Sequence, residues 1–272
     1  MSMPSPHTAE NWDAASANYD ANITEFTAKY ADDALAYAEL GSGLRTLEVA
    51  AGGGAMTLKL APQVGELLAV DFSQGMVDLL RAKLAELGHD NVTCQQMDGM
   101  ALDLPDASFD LGICQFGMML FDNPGKGLSE MARVLKPGGR AVITAWAGPD
   151  KFEAFGLFGM AIRTGLPDMP MPPGPPPIFS LSDPERFTAM MLEAGFSEAR
   201  VEHATHVMTS PSIDEFVHMF STSAPPARAL FAKIGPKGAE RVQGALRKLL
   251  QDRFGDGEIV LSNTATIGVA TK

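Results

Sequence analysis

Residues 46–57 read Thr-Leu-Glu-Val-Ala-Ala-Gly-Gly-Gly-Ala-Met-Thr. An apolar strand runs into a glycine turn, and the turn opens a helix. The glycines allow a ligand to lie against the backbone, and the helix start beyond them presents free N–H groups. An acid, Glu48, sits inside the strand. A second apolar strand, Leu67-Leu68-Ala69-Val70, ends in Asp71, about 23 residues after Glu48, where a carboxylate can take both hydroxyls of a ribose. Together the loop and the second acid imply a site for a nucleoside-containing ligand.

The surrounding pattern sets the fold class. Strands are predicted at 44–50, 66–71, 91–96, 110–116 and 140–146. Helices are predicted at 55–61, at 73–87 with Gly88 as its stop, and at 125–135, stopped by Lys136-Pro137-Gly138-Gly139. Strands alternating with helices give a mostly parallel sheet covered on both faces, with the ligand site at the carboxyl ends of the strands where the strand order reverses. Upstream, Trp12, Tyr19, Phe26 and Tyr30 recur at helical spacing in a segment stopped by Gly41 and Gly43, which reads as one or two helices covering the front. Downstream, helices are predicted at 151–164, 183–194, 213–220 and 238–254, and strands at 199–208 and 258–270. The prolines of 167–177 cannot feed a sheet ladder; they read as a stiff surface connector or as part of a lid over a substrate pocket.

Composition closes off several function classes. The chain has 272 residues, 46 % of them hydrophobic and 20 % charged, which suits one ordinary globular unit. The net charge of −12, with Lys and Arg scattered, argues against a nucleic-acid partner and against docking on anionic lipid. The first ten residues carry no signal-peptide pattern, and no apolar run approaches the roughly 18 residues that span a bilayer. The two cysteines, Cys94 and Cys114, fall inside strand-like runs and read as buried thiols, so the expectation is a cytoplasmic, reduced protein.

Four motifs then arrive in order: Glu48 to Gly54; Val70-Asp71-Phe72-Ser73-Gln74-Gly75-Met76; Asp98-Gly99-Met100-Ala101-Leu102-Asp103-Leu104-Pro105 followed by Ser108-Phe109-Asp110; and Glu130-x-x-Arg133-Val134-Leu135-Lys136-Pro137-Gly138-Gly139-Arg140. Over residues 44–146 the chain resembles the class I S-adenosylmethionine-dependent methyltransferases, and among them the small-molecule enzymes related to ubiquinone/menaquinone-biosynthesis C-methyltransferases. The resemblance implies a Rossmann-like α/β fold: a seven-stranded, mostly parallel sheet with helices on both faces, the last strand antiparallel, plus a helical cap. It implies a single domain over 1–272, with an N-terminal cover at 1–43, a cofactor core at 44–146, and cap segments at 147–180 and 211–256 that shape the acceptor pocket.

The resemblance also implies residue roles. Gly52 and Gly54 let the methionine part and the ribose of S-adenosylmethionine approach the backbone. Glu48 lies near the methionine amino group, and Asp71 binds the ribose hydroxyls. Phe72 and Met76 pack on the adenine. Asp98 accepts from the adenine amino group, with the N–H of Gly99 or Met100 facing the ring. Gln115 and Phe116 flank the methionine and the sulfonium. Tyr19 joins the cofactor site and, with Trp12, closes its front; packing between helices is the other role open to these two. The family usually carries Gly where this chain has Ala50, and the extra methyl is expected to fit if φ there is negative.

Competing readings are weaker. The dinucleotide fingerprint Gly-x-Gly-x-x-Gly/Ala fails at Thr57, and neither a Tyr-x-x-x-Lys dyad nor a phosphate-binding Gly-x-x-x-x-Gly-Lys-Ser/Thr motif occurs, which counts against an NAD-dependent oxidoreductase. A non-catalytic S-adenosylmethionine-binding protein is the remaining alternative. His203 and His206, three apart on a strand, face opposite sides, so no metal site is expected. No catalytic residue stands out; Glu153, His203, His206 and His218 are candidate bases by location only. Methionines and phenylalanines crowd the cap (Phe152, Phe155, Phe158, Met160, Met169, Met171, Met190, Met191, Phe216, Met219, Phe220). Ordinary core packing explains most of these; if several face the cofactor, the acceptor is a small, mostly apolar molecule. A monomer or homodimer is expected.

Overall fold

The computed structural model describes residues 8–14, 16–170, 176–223 and 225–272. Met171 and the next four residues of the proline run lie outside these residues. In chain order the elements are α1 (Ala9–Asp13), α2 (Ser16–Asn22), α3 (Thr24–Leu35), β1 (Arg45–Val49), α4 (Thr57–Leu60), β2 (Glu66–Asp71), α5 (Gln74–Leu87), β3 (Val92–Gln96), β4 (Phe109–Gln115), α6 (Pro124–Val134), β5 (Leu135–Trp146), α7 (Glu153–Gly165), α8 (Pro184–Glu193), β6 (Glu198–Ser210), α9 (Ile213–Ser223), α10 (Pro225–Phe254) and β7 (Ile259–Thr271).

One seven-stranded sheet runs in the order β3-β2-β1-β4-β5-β7-β6. The strands β1 to β5 pair in parallel, and β7 is antiparallel to both β5 and β6. The chain moves outward from β1 to β3, then returns to place β4 on the other side of β1. That reversal leaves a crevice beyond the carboxyl ends of β1 and β4. Both loops singled out by the sequence, after β1 and after β2, open into it.

Helix ends follow the local chemistry. The Ser73 hydroxyl caps α5 by accepting the Met76 N–H at 3.1 Å, and Gly88 closes the helix in the left-handed region. Asn123 and Asp183 cap α6 and α8, each followed by a proline in the first turn. The long α10 breaks at Gly235, with φ of 67°, just before Pro236, which explains why the sequence pattern gives a helix only from Gly238.

Two expectations need correction. Residues 136–139 do not separate α6 from a later strand. The strand β5 already begins at Leu135, which pairs with Phe109, and the register then shifts before Leu111 pairs with Arg140. The turn is therefore an irregularity inside a paired strand. The N-terminal segment forms three helices, and the third is no mere cover. In α3, Tyr30 is wholly buried; its hydroxyl donates to the Asn263 carbonyl at 2.7 Å and its ring meets Phe116 and Trp146 edge-on.

Candidate functional site

The loop after β1 is built around left-handed backbone. Gly52 and Gly54 have φ of 54° and 93°, and Ala50 has φ of 58°. The condition set for an easy fit of the Ala50 methyl, a negative φ, is not met. An alanine there is strained, by about 1 kcal/mol or slightly more. Space for its methyl comes from Gly117, where a Cβ would lie 2.3 Å from that of Ala50.

Asp71 holds the loop. Its Oδ2 accepts the Gly52 N–H and its Oδ1 accepts the Ser73 N–H, each at 2.9 Å. The carboxyl is buried, which pushes its pKa up to about 6, with the N–H donors opposing the rise. Glu48 is more deeply placed. Its Oε2 accepts the Thr57 hydroxyl at 2.7 Å, no cation lies among its partners, and burial pushes its pKa up to about 8. Thr57, which in the sequence only broke the dinucleotide fingerprint, therefore serves the acid.

A cavity of ≈ 110 Å³ fills the crevice. Its walls include Tyr19, Ala50, Gly52, Asp71, Phe72, Met76, Asp98, Gly99, Met100, Gln115 and Phe116, so eleven of the thirteen residues expected to bind the cofactor come together here. Glu48 lines an adjoining lobe shared with Tyr19, Ala50, Gly52, Gln115 and Phe116. Gly54 lines neither lobe. A Cβ there would meet Leu80 Cδ1 at 2.6 Å, so this glycine serves the packing of the loop on α5.

Two details support a nucleoside with an amino-acid arm. Asp98 is exposed at the rim and its Oδ1 accepts the Met100 N–H at 2.8 Å. The intervening Gly99 lies flat, because a Cβ would strike Phe121 and Val49 at 2.6 Å. At the other end, Gln115 donates to the Thr27 carbonyl while its buried Oε1 has no hydrogen-bond partner. With Glu48 in the same lobe, this acceptor suits a cationic group. The residues thus fit S-adenosylmethionine. The sequence reading missed Met97, Gly117, Leu120, Phe121 and Asp122 in the wall; the last four follow β4 in the stretch 117–122, where position after a strand end was their signal.

A second cavity of ≈ 280 Å³ adjoins the first and shares Trp12, Tyr19, Phe116 and Leu120 with it. Its other walls come from α3, α7, α9 and α10. Phe116, Trp146 and Phe152 form a stacked row, with centroids 4.0 Å and 4.4 Å apart. Phe116, like Ala50, has a left-handed φ, 54°, and this aims its ring at the junction of the cavities. Of the cap residues named from the sequence, Phe152, Phe155, Phe158 and Phe220 line the cavity, whereas Met160 is exposed and Met191 and Phe216 are core; the methionines in the wall are Met119 and Met208.

None of the four candidate bases lines the cavity. Glu153 is tied to Arg253 at 2.7 Å and to the Ser262 N–H. His206 binds Asp33 at 2.6 Å and packs edge-on to Tyr30, and His203 and His218 are exposed. The polar side chains in the wall are Trp12, Tyr19 and Thr27. Burial pushes the Tyr19 phenol up to about 12, so it stays protonated at neutral pH. Among the described residues no three His, Cys, Asp or Glu side chains cluster to hold a metal, and no helix is long and apolar enough to cross a membrane.

Comparison with known proteins agrees with this geometry. A family profile described as "Methyltransferase domain" matches residues 47–143. The demethylmenaquinone methyltransferase of Deinococcus radiodurans is 36% identical over 168 residues, covering 56% of this chain and 67% of that protein. The one from Thermus thermophilus is 32% identical, over 56% of this chain and 74% of its own. The crystal structure of YcgJ from Bacillus subtilis superposes with a TM-score of 0.58 at 20% identity, covering 90% of this chain and 98% of that one, and shows the fold alone. The profile, the relatives and the crevice converge: the chain belongs to the class I S-adenosylmethionine-dependent methyltransferases, in the group related to the ubiquinone/menaquinone C-methyltransferases, and is an enzyme of that kind.

Proposed function

We propose that the protein methylates a small, flat, largely apolar acceptor that sits in the aromatic cavity beside Phe116, a reduced quinone ring being the acceptor class its relatives favour. The observation that carries this reading is the shared wall: Tyr19, Phe116 and Leu120 border both the cofactor crevice and the aromatic cavity. The names of the relatives, demethylmenaquinone methyltransferase among them, support the ring chemistry.

In this reading Asp71 takes the ribose hydroxyls, Asp98 and the N–H groups at Gly99 and Met100 take the adenine edge, and Phe72 and Met76 hold its faces. Glu48 and Gln115 Oε1 take the ammonium. Bound in this way, S-adenosylmethionine supplies a methyl group on a sulfonium, whose departure leaves a neutral thioether. The protein then has to align the acceptor and exclude water. Phe116 and the Trp146–Phe152 row do both: they stack on a flat ring, and they leave little that water can bond to. When a ring carbon is the nucleophile its proton leaves after methylation. With no carboxylate or imidazole among the described wall residues, that proton passes to solvent or to the acceptor's own oxygen.

The test is incubation with methyl-labelled cofactor and a naphthohydroquinone lacking the ring methyl, under reducing conditions. Labelled methylnaphthohydroquinone is the expected product. S-adenosylhomocysteine binding without any labelled product would remove the quinone reading and leave the cofactor assignment standing.

A further inference from the structure

Gly53, the middle glycine of the loop, has no left-handed φ and lines only the smaller lobe beside Glu48, outside the main crevice. What it meets is the N-terminal cover. A Cβ on Gly53 would lie 2.7 Å from Oδ1 of Asp20, the neighbour of Tyr19 on α2. The same Asp20 oxygen is paired with the Lys83 ammonium from α5, and that ammonium also donates to the Gly53 carbonyl at 2.8 Å. Lys83 and Asp20 are only about one quarter exposed, so water screens the pair less than a surface ion pair. One lysine thus joins the loop that holds the cofactor to the helix that carries Tyr19. The cover has a second attachment: Asp13 accepts the Ser73 hydroxyl and the Gly75 N–H at the start of α5.

We propose that Lys83 is a positioning residue that latches the N-terminal cover onto the glycine loop. The latch holds Tyr19 as the wall between the cofactor and acceptor cavities and closes the route by which cofactor enters and product leaves. This rests on the cofactor reading above and adds an element to it. Trp12 and Tyr19, in edge-on contact at 5.2 Å, move with the cover, so its opening changes both cavities at once.

A latch has a kinetic signature different from that of a ligand contact. Loosening it speeds both entry and exit, whereas losing a contact speeds exit alone. Stopped-flow binding of S-adenosylhomocysteine, followed by tryptophan fluorescence, separates the two. Lys83→Met is expected to raise the association and dissociation rates together, by about fivefold, with the dissociation constant nearly unchanged. Lys83→Arg restores the wild-type rates. A rise in the dissociation rate alone, or no change in either rate, overturns the proposal.

A second pair of variants serves if Lys83→Met folds poorly. Gly53→Ala forces its methyl against Asp20 and is expected to speed both rates in the wild-type background, but to add little once Asp20→Ala has removed the carboxylate. Equal effects in both backgrounds overturn the latch. Wild-type protein that fails to bind S-adenosylhomocysteine contradicts the cofactor reading itself, and is thereby distinguished from a failure of the latch.

Discussion

Oδ2 of Asp71 accepts the amide of Gly52 at 2.9 Å, so the acid that ends β2 holds the loop that ends β1. Its other oxygen fixes the amide of Ser73, the cap of α5. A carboxylate acts here as a hub for backbone from three elements, and only its remaining lone pairs face the crevice.

That arrangement predicts that Asp71→Ala loosens the loop and removes the ribose acceptor together. S-adenosylhomocysteine affinity should fall about a hundredfold by calorimetry, as for loss of charge-assisted hydrogen bonds. An unchanged dissociation constant would show that the ligand lies elsewhere.

Glu48 gives a pH prediction. Its pKa in the folded chain, raised to about 8, exceeds its ordinary 4.5, so between these values the unfolded chain holds fewer protons than the folded one. Stability of the ligand-free protein therefore falls as pH rises from about 4.5 to about 8, and levels off above. Urea unfolding across that range should show the slope, and Glu48→Gln should flatten it.

The same acid couples the proton to the ligand. An ammonium seated beside Glu48 favours its ionised form, so binding of S-adenosylhomocysteine near pH 7 should release protons to the buffer. Calorimetry in phosphate and in Tris should give different apparent enthalpies for wild type and equal ones for Glu48→Gln.

Ala50 and Gly117 form a strained pair with opposite predictions. Ala50→Gly relieves the left-handed strain and should stabilise the protein by about 1 kcal/mol. Gly117→Ala places two methyl carbons 2.3 Å apart in buried surroundings and should destabilise it by about 2 kcal/mol or more. Thermal melts of both variants decide the signs.

Gly159 lines the aromatic cavity, and a Cβ there meets nothing closer than Arg163 Nη1, at 3.8 Å. Gly159→Phe should fill the cavity while leaving S-adenosylhomocysteine affinity within about twofold of wild type. Acceptor turnover should then fall at least about tenfold. Equal turnover would place the acceptor outside this cavity.

The cofactor half of the site was legible because its roles depend on local sequence. A glycine turn after a strand, an acid at the end of the next strand and a capped helix beyond it are short-range patterns; the family resemblance they carry implied thirteen residues, and eleven of these meet in one crevice. Gly54 falls outside the crevice wall, and part of the reason for a glycine there is Leu80, a packing partner far along the chain. The φ of Ala50 was not legible because it follows from how Asp71 holds the turn and how Ala50 packs on Gly117, and residue type does not reveal it.

By itself, the sequence determined the parallel sheet and a nucleoside crevice at the reversal of strand order, since hydrophobic period, glycine placement and acid spacing act over a few residues to a few tens of residues; the methyl donor came from the resemblance of its ordered motifs to a known family. Tertiary structure alone decided the rest. It selected the phenylalanines of α7 and α9, and only two of the methionines, for the acceptor wall. It withdrew Glu153 into an ion pair with Arg253 and His206 into a hydrogen bond with Asp33, and through Lys83 it joined the cover to the loop. Those outcomes depend on which faces of distant helices meet, and that is set by packing across the whole chain.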